Sequence, residues 1–309
     1  MTDNLLFVEK YRPQTVAECI LSPAIKTIFE GFIKAGEFPN LLLSGSAGTG
    51  KTTIARALCK ELDYDYKIIN ASDERNIDMV RNDIKNYASH RSLRDRPKAI
   101  ILDEADGLNI IAQGALRGSI EQFPTVRFIL TCNFKNKIIE PIQSRLSLVE
   151  FSCKSSEKNL LMVSFIKRVF EILKKENIEF DPKAVTEVVK RYFPDNRKIL
   201  MDIQKYAIGG KIDIGILATN SDVNVLIEAI KKKSLGEARQ WVVNNSDADP
   251  ASIFRNLYDK LTIDVVTPNS LANLVPLIAQ YQMWSTMVAD QEINTTALVH
   301  EIMMTAEFK

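Results

Sequence analysis

The chain has 309 residues, 46% hydrophobic and 26% charged, enough to bury a large core spread over two or three domains. A formal net charge of +1 excludes nucleic-acid binding by global cationic excess and leaves only a local patch. Four scattered cysteines (Cys19, Cys59, Cys132, Cys153) with no CxxC, beside two histidines, speak against a zinc module and fit a reducing compartment.

The N-terminal "MTDNLLFVEKYRP" lacks a basic-then-apolar leader pattern, and no apolar run reaches the roughly 18 residues of a membrane span. A soluble cytosolic protein is expected. Five short apolar runs then recur: "NLLLSG", "YKIINAS", "KAIILDEAD", "RFILTCN" and "LVEFSC". Helical segments separate them, at Thr52–Glu61, Met79–Ser89 and Ile111–Phe123. Buried-type strands alternating with helices predict an α/β domain, a five-stranded parallel sheet covered on both faces. After Cys153 the strand signal fades. "SSEKNLLMVSFIKRVFEILKKENI" predicts an amphipathic helix with a Ser-x-Glu start. "DPKAVTEVVKRYFP" and "NRKILMDIQKYAIGG" predict two more, ended by Pro194 and by Gly209-Gly210. A polar break at Thr219–Asp222 precedes a last helical block. The expected division is 1–153, 154–219 and 220–309.

Gly45-Ser46-Ala47-Gly48-Thr49-Gly50-Lys51-Thr52 fits G-x-x-x-x-G-K-[ST], after a predicted strand and before a predicted helix, the context that pattern requires. Gly48 and Gly50 let backbone N–H groups turn inward around phosphate oxygens, and the helix running through Thr52 and Thr53 adds its positive end. Lys51 would neutralise the β- and γ-phosphates of ATP, and the Thr52 hydroxyl would hold Mg²⁺. "AIILDEAD" brings Asp103 out at the carboxyl edge of the sheet. Asp103 suits Mg²⁺ through water, and Glu104 suits polarising the attacking water, so hydrolysis is expected.

The letters "DEAD" invite a helicase reading, which needs a second lobe of the same α/β type, and the chain after Cys153 reads as helix. The order of parts resembles an AAA+ ATPase instead: a RecA-like sheet domain, a helical lid domain and a helical C-terminal domain. The resemblance implies a polar sensor at Asn133, ending "FILTCN". It implies an arginine finger acting in trans at Arg145 in "IQSRLS", and a second sensor at Arg197 in "FPDNRKIL".

Within that family the chain resembles sliding-clamp-loader subunits. "VEKYRP" is similar to their adenine-contacting segment, which implies base contacts from Tyr11, Arg12 and Pro13. "NASDERNIDMVRNDIKNYA" and "AQGALRGSIEQF" are similar to two further stretches, with Asn76 and Gly118 as departures. Leu146 and Ser46-Ala47 depart as well. "KYRPQTVAECIL", "FPDNRK" and "DIGILATNSD" resemble the T4-type phage loaders, which would place the protein in the cytoplasm of an infected bacterium. The resemblance implies a five-subunit spiral of this chain and a different small subunit. The C-terminal block would be its collar, and its partners a sliding clamp and primer–template DNA.

Between Val80 and Lys98 six Lys/Arg (Arg81, Lys85, Arg91, Arg94, Arg96, Lys98) face two acids, Asp83 and Asp95, without an aromatic ladder. Arg81 and Lys85, four apart, share a helix face and are the candidate contacts to duplex phosphates. Arg117 and Gln113 are candidates for coupling subunits and for linking the DNA surface to the ATP site. Two alternatives stay open: an ATP-binding scaffold without turnover, and another AAA+ DNA-remodelling machine. A branch-migration motor would need a winged-helix β-hairpin after Thr219, which the sequence does not show.

Overall fold

The computed structural model describes residues 6–71, 77–90, 95–152, 155–208, 210–212, 223–246, 249–262 and 266–308, without the side chains of 77–81, 155 and 268. The chain forms two compact units, Met1–Asp213 and Ile214–Lys309. The expected division points at 153/154 and 219/220 lie outside the described residues, as does the polar break at Thr219–Asp222.

In the first unit, β1 (Leu41–Ser44), β2 (Asp65–Asn70), β3 (Lys98–Asp103), β4 (Val126–Cys132) and β5 (Ser147–Glu150) make one sheet. Its order is β2-β3-β4-β1-β5 and every pairing is parallel. All five coincide with the apolar runs of the sequence. Side chains alternate across the sheet. Leu42, Ile100, Leu102, Phe128 and Leu130 pack on one side, with Ile84 of α4 (Ile77–Ser89) and Leu116 and Ile120 of α5 (Ile110–Gln122). Leu41, Leu43, Ile101 and Ile129 pack on the other, with Ile25 and Phe29 of α2 (Pro23–Ala35) and Ile54 and Leu58 of α3 (Lys51–Glu61). A short α1 (Phe7–Lys10) precedes them, and α6 (Glu140–Gln143) leads into β5. Burying one such Phe or Leu contributes about 1.5–3 kcal/mol, so a strand sealed on both faces is held firmly.

Local chemistry sets the ends. Helix α2 starts at Ser22, whose side chain accepts from the Ile25 amide, with Pro23 in its first turn. It stops at Gly36, with φ 75°. The consequence for the site is positional. Strand β1 lies between β4 and β5, and Ser44 pairs with Cys132 while Leu102 pairs with Leu130. The carboxyl ends of β1, β3 and β4 therefore open side by side, where parallel sheets bind ligands.

The same unit continues with α7 (Ser155–Lys175), α8 (Pro182–Tyr192) and α9 (Asn196–Ala207). Asp181 caps α8 and Asp195 caps α9 through side-chain bonds to the amides of Lys183 and Lys198. One strand pair was not expected: β6 (Glu179–Phe180) pairs in parallel with β7 (Lys211–Ile212). Two residues are too short to show alternation, so only tertiary packing reveals them. Phe180 lies against Phe170 of α7, ring centroids 5.1 Å apart.

The second unit holds α10 (Val223–Lys231), α11 (Leu235–Asn244), α12 (Pro250–Lys260), α13 (Pro268–Trp284) and α14 (Gln291–Thr305). Leu226, Ile230, Phe254, Leu257, Leu274, Leu298 and Ile302 form its core. Among the described residues its β structure is one antiparallel bridge, Val266 to Phe308. Also among the described residues, no helix is long and apolar enough to cross a membrane.

Candidate nucleotide site

The loop between β1 and α3 is built by close approaches that only glycine permits. A Cβ on Gly45 would lie 2.8 Å from Phe151 Cβ and 2.9 Å from its carbonyl oxygen. Gly48 has φ +72°, and a Cβ there would run into the Asp195 carboxylate, 2.5 Å from its Cγ and 3.0 Å from its Cα. The Gly48 carbonyl also accepts from the Asn196 amide at 3.1 Å. The N-terminus of α9 thus rests directly on the loop. Gly50, with φ +92°, turns the chain into α3, which begins at Lys51.

Lys51 is 8% exposed, and its ammonium donates to the Gly45 carbonyl (2.7 Å), the Ser46 carbonyl (2.8 Å) and Asn133 Oδ1 (3.0 Å). Burial pulls its pKa below the ordinary lysine value; Cys132, Asp103 and Asp106 oppose the shift. Thr52 Oγ1 donates to Asp103 Oδ1 at 2.6 Å. Thr131 Oγ1 donates to the same oxygen at 2.5 Å and accepts from the Glu104 amide at 3.1 Å. Glu104 leaves β3 in the left-handed region, φ 56°, a conformation that costs a non-glycine residue about 1 kcal/mol or more. Asp106 Oδ2 accepts from the amides of Asn133 and Phe134, both at 3.1 Å, and so fixes the turn that presents Asn133.

One cleft gathers these groups. Ala47, Gly48, Thr49, Gly50, Lys51, Thr52, Thr53, Asp103, Glu104 and Asn133 line it, together with Tyr11, Arg12, Pro13 and Arg197. Gly45 and Ser46 line a neighbouring cavity with Phe151 and Lys158 instead, and reach the cleft only through the carbonyls that hold Lys51. The Tyr11 hydroxyl donates to Glu176 Oε1 at 2.5 Å, and Lys10 Nζ lies 2.6 Å from that oxygen. Burial and the bond to Glu176 push the Tyr11 phenol up to about 12, while Lys10 and Tyr11 hold the Glu176 carboxyl below its usual value. The cleft has a cationic, backbone-rich floor for phosphates and a mixed apolar wall of Tyr11, Pro13, Ile20, Phe165, Ile172 and Leu200. A hydroxyl and a carboxylate oxygen side by side form a hard oxygen donor set, which suits a divalent cation whose other ligands are phosphate and water.

Two family models match the chain: the ATPase family associated with various cellular activities over residues 41–153, and the AAA+ ATPase lid domain of the sliding-clamp-loader large subunit over 157–218. The sliding-clamp-loader large subunit of Enterobacteria phage T4 is 32% identical, covering 97% of this chain and 96% of that protein. The replication factor C small subunit of Sulfolobus acidocaldarius is 33% identical, over 99% and 98%. This chain belongs to the sliding-clamp-loader ATPase family. It is an ATP-hydrolysing enzyme that binds ATP with a divalent metal. Among solved structures, the RuvB Holliday junction branch migration motor of Thermotoga maritima superposes with a TM-score of 0.54 at 16% identity, over 81% of this chain and 87% of that one. That likeness is one of fold.

The remaining residues singled out in this loader ATPase lie away from the cleft. Arg145 donates through Nε to Glu121 Oε1 (2.7 Å) and through Nη1 to the Pro141 carbonyl (2.6 Å), and is not among the cleft-lining residues. Arg117 lies 3.5 Å from the same Glu121 oxygen. The two guanidiniums hold the Glu121 carboxyl below its usual value, Arg145 the more strongly. Gln113 is 2% exposed and bridges α5 to the segment before α6. It donates to the carbonyls of Leu108 and Lys137 and accepts from the Ile139 amide. Lys85 is exposed on α4; Arg81 falls on α4 but its side chain lies outside the described residues.

The basic segment is less uniform than its sequence. Lys98 is buried, donates to the carbonyls of Tyr87 and His90 and sits 4.8 Å from the Tyr87 ring centroid, so it ties down the end of α4. Arg96 pairs with Asp63 at 2.9 Å, and Arg91 and Arg94 lie outside the described residues. Sequence reasoning passed over Thr131, Asp106, Asp195, Glu176 and Arg168, the last of which lines the cleft from α7. A hydroxyl inside an apolar strand marked Thr131, and a third acid after "DEA" marked Asp106. Nothing local marked the tertiary contacts of the other three.

Proposed function

We propose that this chain is the motor subunit of a five-membered loader, which uses ATP and Mg²⁺ to open a ring-shaped clamp and place it on primer–template DNA. Lys51 meets the phosphates, Thr52 and Asp103 hold Mg²⁺, Glu104 activates the attacking water and Asn133 and Arg197 contact the terminal phosphate. Arg145 reaches the site of a neighbouring copy, and a small partner subunit completes the ring. The parts at 1–153, 154–219 and 220–309 act as ATPase domain, lid and collar. Arg81 and Lys85 follow the duplex backbone, and Gln113 and Arg117 carry the signal between DNA, ATP site and neighbour. The observation that carries this reading is the extent of the similarity: it runs through 97% of the chain to a loader large subunit, over a cleft that assembles Lys51, Thr52, Asp103 and Glu104.

The test is phosphate release by the full chain, co-expressed with its neighbouring gene products, with and without primer–template DNA and the co-expressed clamp. Stimulation by DNA and clamp together, from an assembly of five subunits by native mass spectrometry, is expected. Turnover indifferent to both would overturn the proposal.

A further inference from the structure

We infer that Thr131 is a positioning residue for the two acids of the ATP site, aiming Glu104 and fixing Asp103 through one hydroxyl. The inference rests on the roles proposed above for those acids. Thr131 lies in β4, where its neighbours Phe128, Ile129, Leu130 and Cys132 are buried and apolar. At 2% exposure its hydroxyl must be satisfied within the protein. It is satisfied by the two acids themselves: the proton goes to Asp103 Oδ1 at 2.5 Å and a lone pair takes the Glu104 N–H at 3.1 Å.

The two bonds fix different things. Asp103 Oδ1 receives the Thr52 hydroxyl at 2.6 Å as well, so two O–H donors converge on one oxygen and set the plane of the carboxylate. Glu104 is held in a left-handed conformation, where an unbranched side chain is aimed by its backbone and the backbone persists only if its surroundings impose it. The Thr131 bond supplies part of that constraint at the residue whose direction matters. Strand pairing adds to it, since Leu102 and Leu130 are in register, two residues before Glu104 and one before Thr131. Threonine suits the place better than serine, because its branched Cβ restricts χ1 and keeps Oγ1 turned towards β3.

Thr131→Val keeps the shape and removes both bonds, leaving the Glu104 N–H without its acceptor. In the full chain assembled with its partner subunits, kcat is expected to fall about 100-fold, the scale of a small misplacement of a reacting group. Affinity for ATP should stay near the parent, the melting temperature should fall only by the few degrees that one unpaired N–H costs, and Thr131→Ser should restore most of the rate. In a Glu104→Gln background, where the carboxylate to be aimed is gone, Thr131→Val should slow single-turnover hydrolysis much less, leaving only the part that runs through Asp103. A role in general packing would instead weaken ATP binding and slow both backgrounds alike. Parental kcat in Thr131→Val, or an equal loss in the Glu104→Gln background, overturns the inference. If the valine variant fails to fold, Thr131→Ala is read by the same criteria. Parental turnover in Glu104→Gln alone would remove the role of Glu104 itself, and the inference with it.

Discussion

Replacing Gly48 by alanine probes the contact between the phosphate loop and the lid-matched segment. Alanine at φ +72° pays about 1 kcal/mol of backbone strain. Its Cβ cannot coexist with an Asp195 Cγ 2.5 Å away, so the start of α9 must retreat. Retreat breaks the bond from the Asn196 amide to the Gly48 carbonyl, worth about 1 kcal/mol, and disturbs the Asp195 cap on Lys198, worth about 1 kcal/mol more. The sum, about 3 kcal/mol, corresponds to roughly 100-fold in affinity if ATP binds the arrangement in which α9 rests on the loop. The readout is the Kd of a fluorescent ATP analogue, with thermal melting alongside. Asp195→Ala alone should cost only the cap, about 1 kcal/mol. Combined with Gly48→Ala it removes the clashing carboxylate, so the pair should be less damaging than the sum of the singles by about 1–2 kcal/mol. Strict additivity, or unchanged affinity in Gly48→Ala, would refute the claim that this contact shapes the site.

Arg145→Ala should lower hydrolysis by roughly 10³–10⁵-fold, the range seen for arginines supplied to a terminal phosphate. Mixing it with Lys51→Ala chains should recover activity at mixed interfaces, and verified mixed assemblies without recovery would count against a shared site. Neutralising Arg81 and Lys85 together should weaken DNA binding equally for unrelated sequences and flatten its salt dependence, by roughly 0.9 in log–log slope for each duplex phosphate that is no longer neutralised. A titration with hydrolysis blocked measures this, and an unchanged slope returns both residues to plain solvation. The Lys51 pKa is lowered by burial and is raised again by phosphate, so binding favours the ammonium. ATP affinity should therefore be flat while the pH stays below the Lys51 value of the free protein, itself below the ordinary 10.5, and fall by up to about tenfold per unit above it. Tyr11, raised to about 12, does not interfere in that window. An affinity constant up to that ordinary value would exclude the lysine shift.

Strands β1, β3 and β4 were legible as apolar runs buried on both faces, the more exposed edge strands β2 and β5 as shorter apolar runs, and the loop because its glycines and Lys51 are adjacent in sequence. Tertiary partners were not. Asp195 reads locally as a helix cap, which it is, and nothing in "FPDNRK" announces that it also abuts Gly48. Lys98 counts as one more cation in a basic stretch, yet it is buried against the carbonyls that end α4. Thr131 reads as an ordinary strand former. Glu176 sits 165 residues from the Tyr11 hydroxyl it accepts, a separation no local pattern spans. The two-residue strands β6 and β7 lie below the length at which period two can be seen.

The attachment of the N-terminal segment has a mechanical corollary. The Phe7 amide donates to Gln204 of α9, and Lys10 and Tyr11 both meet Glu176 just beyond α7, whereas the chain after Pro13 is fastened to α3 by the bond from the Val16 amide to Glu61. Tyr11 and Pro13 thus straddle a joint, one side anchored to the helices after the sheet and the other to the helix behind the phosphate loop. In the function proposed above, a nucleotide in the cleft would meet both attachments, its phosphates beside α3 and its base beside the segment tied to Glu176. Any displacement of α7 and α9 relative to α3 would therefore pull on the short length of chain between Tyr11 and Val16, which is tied to both sides.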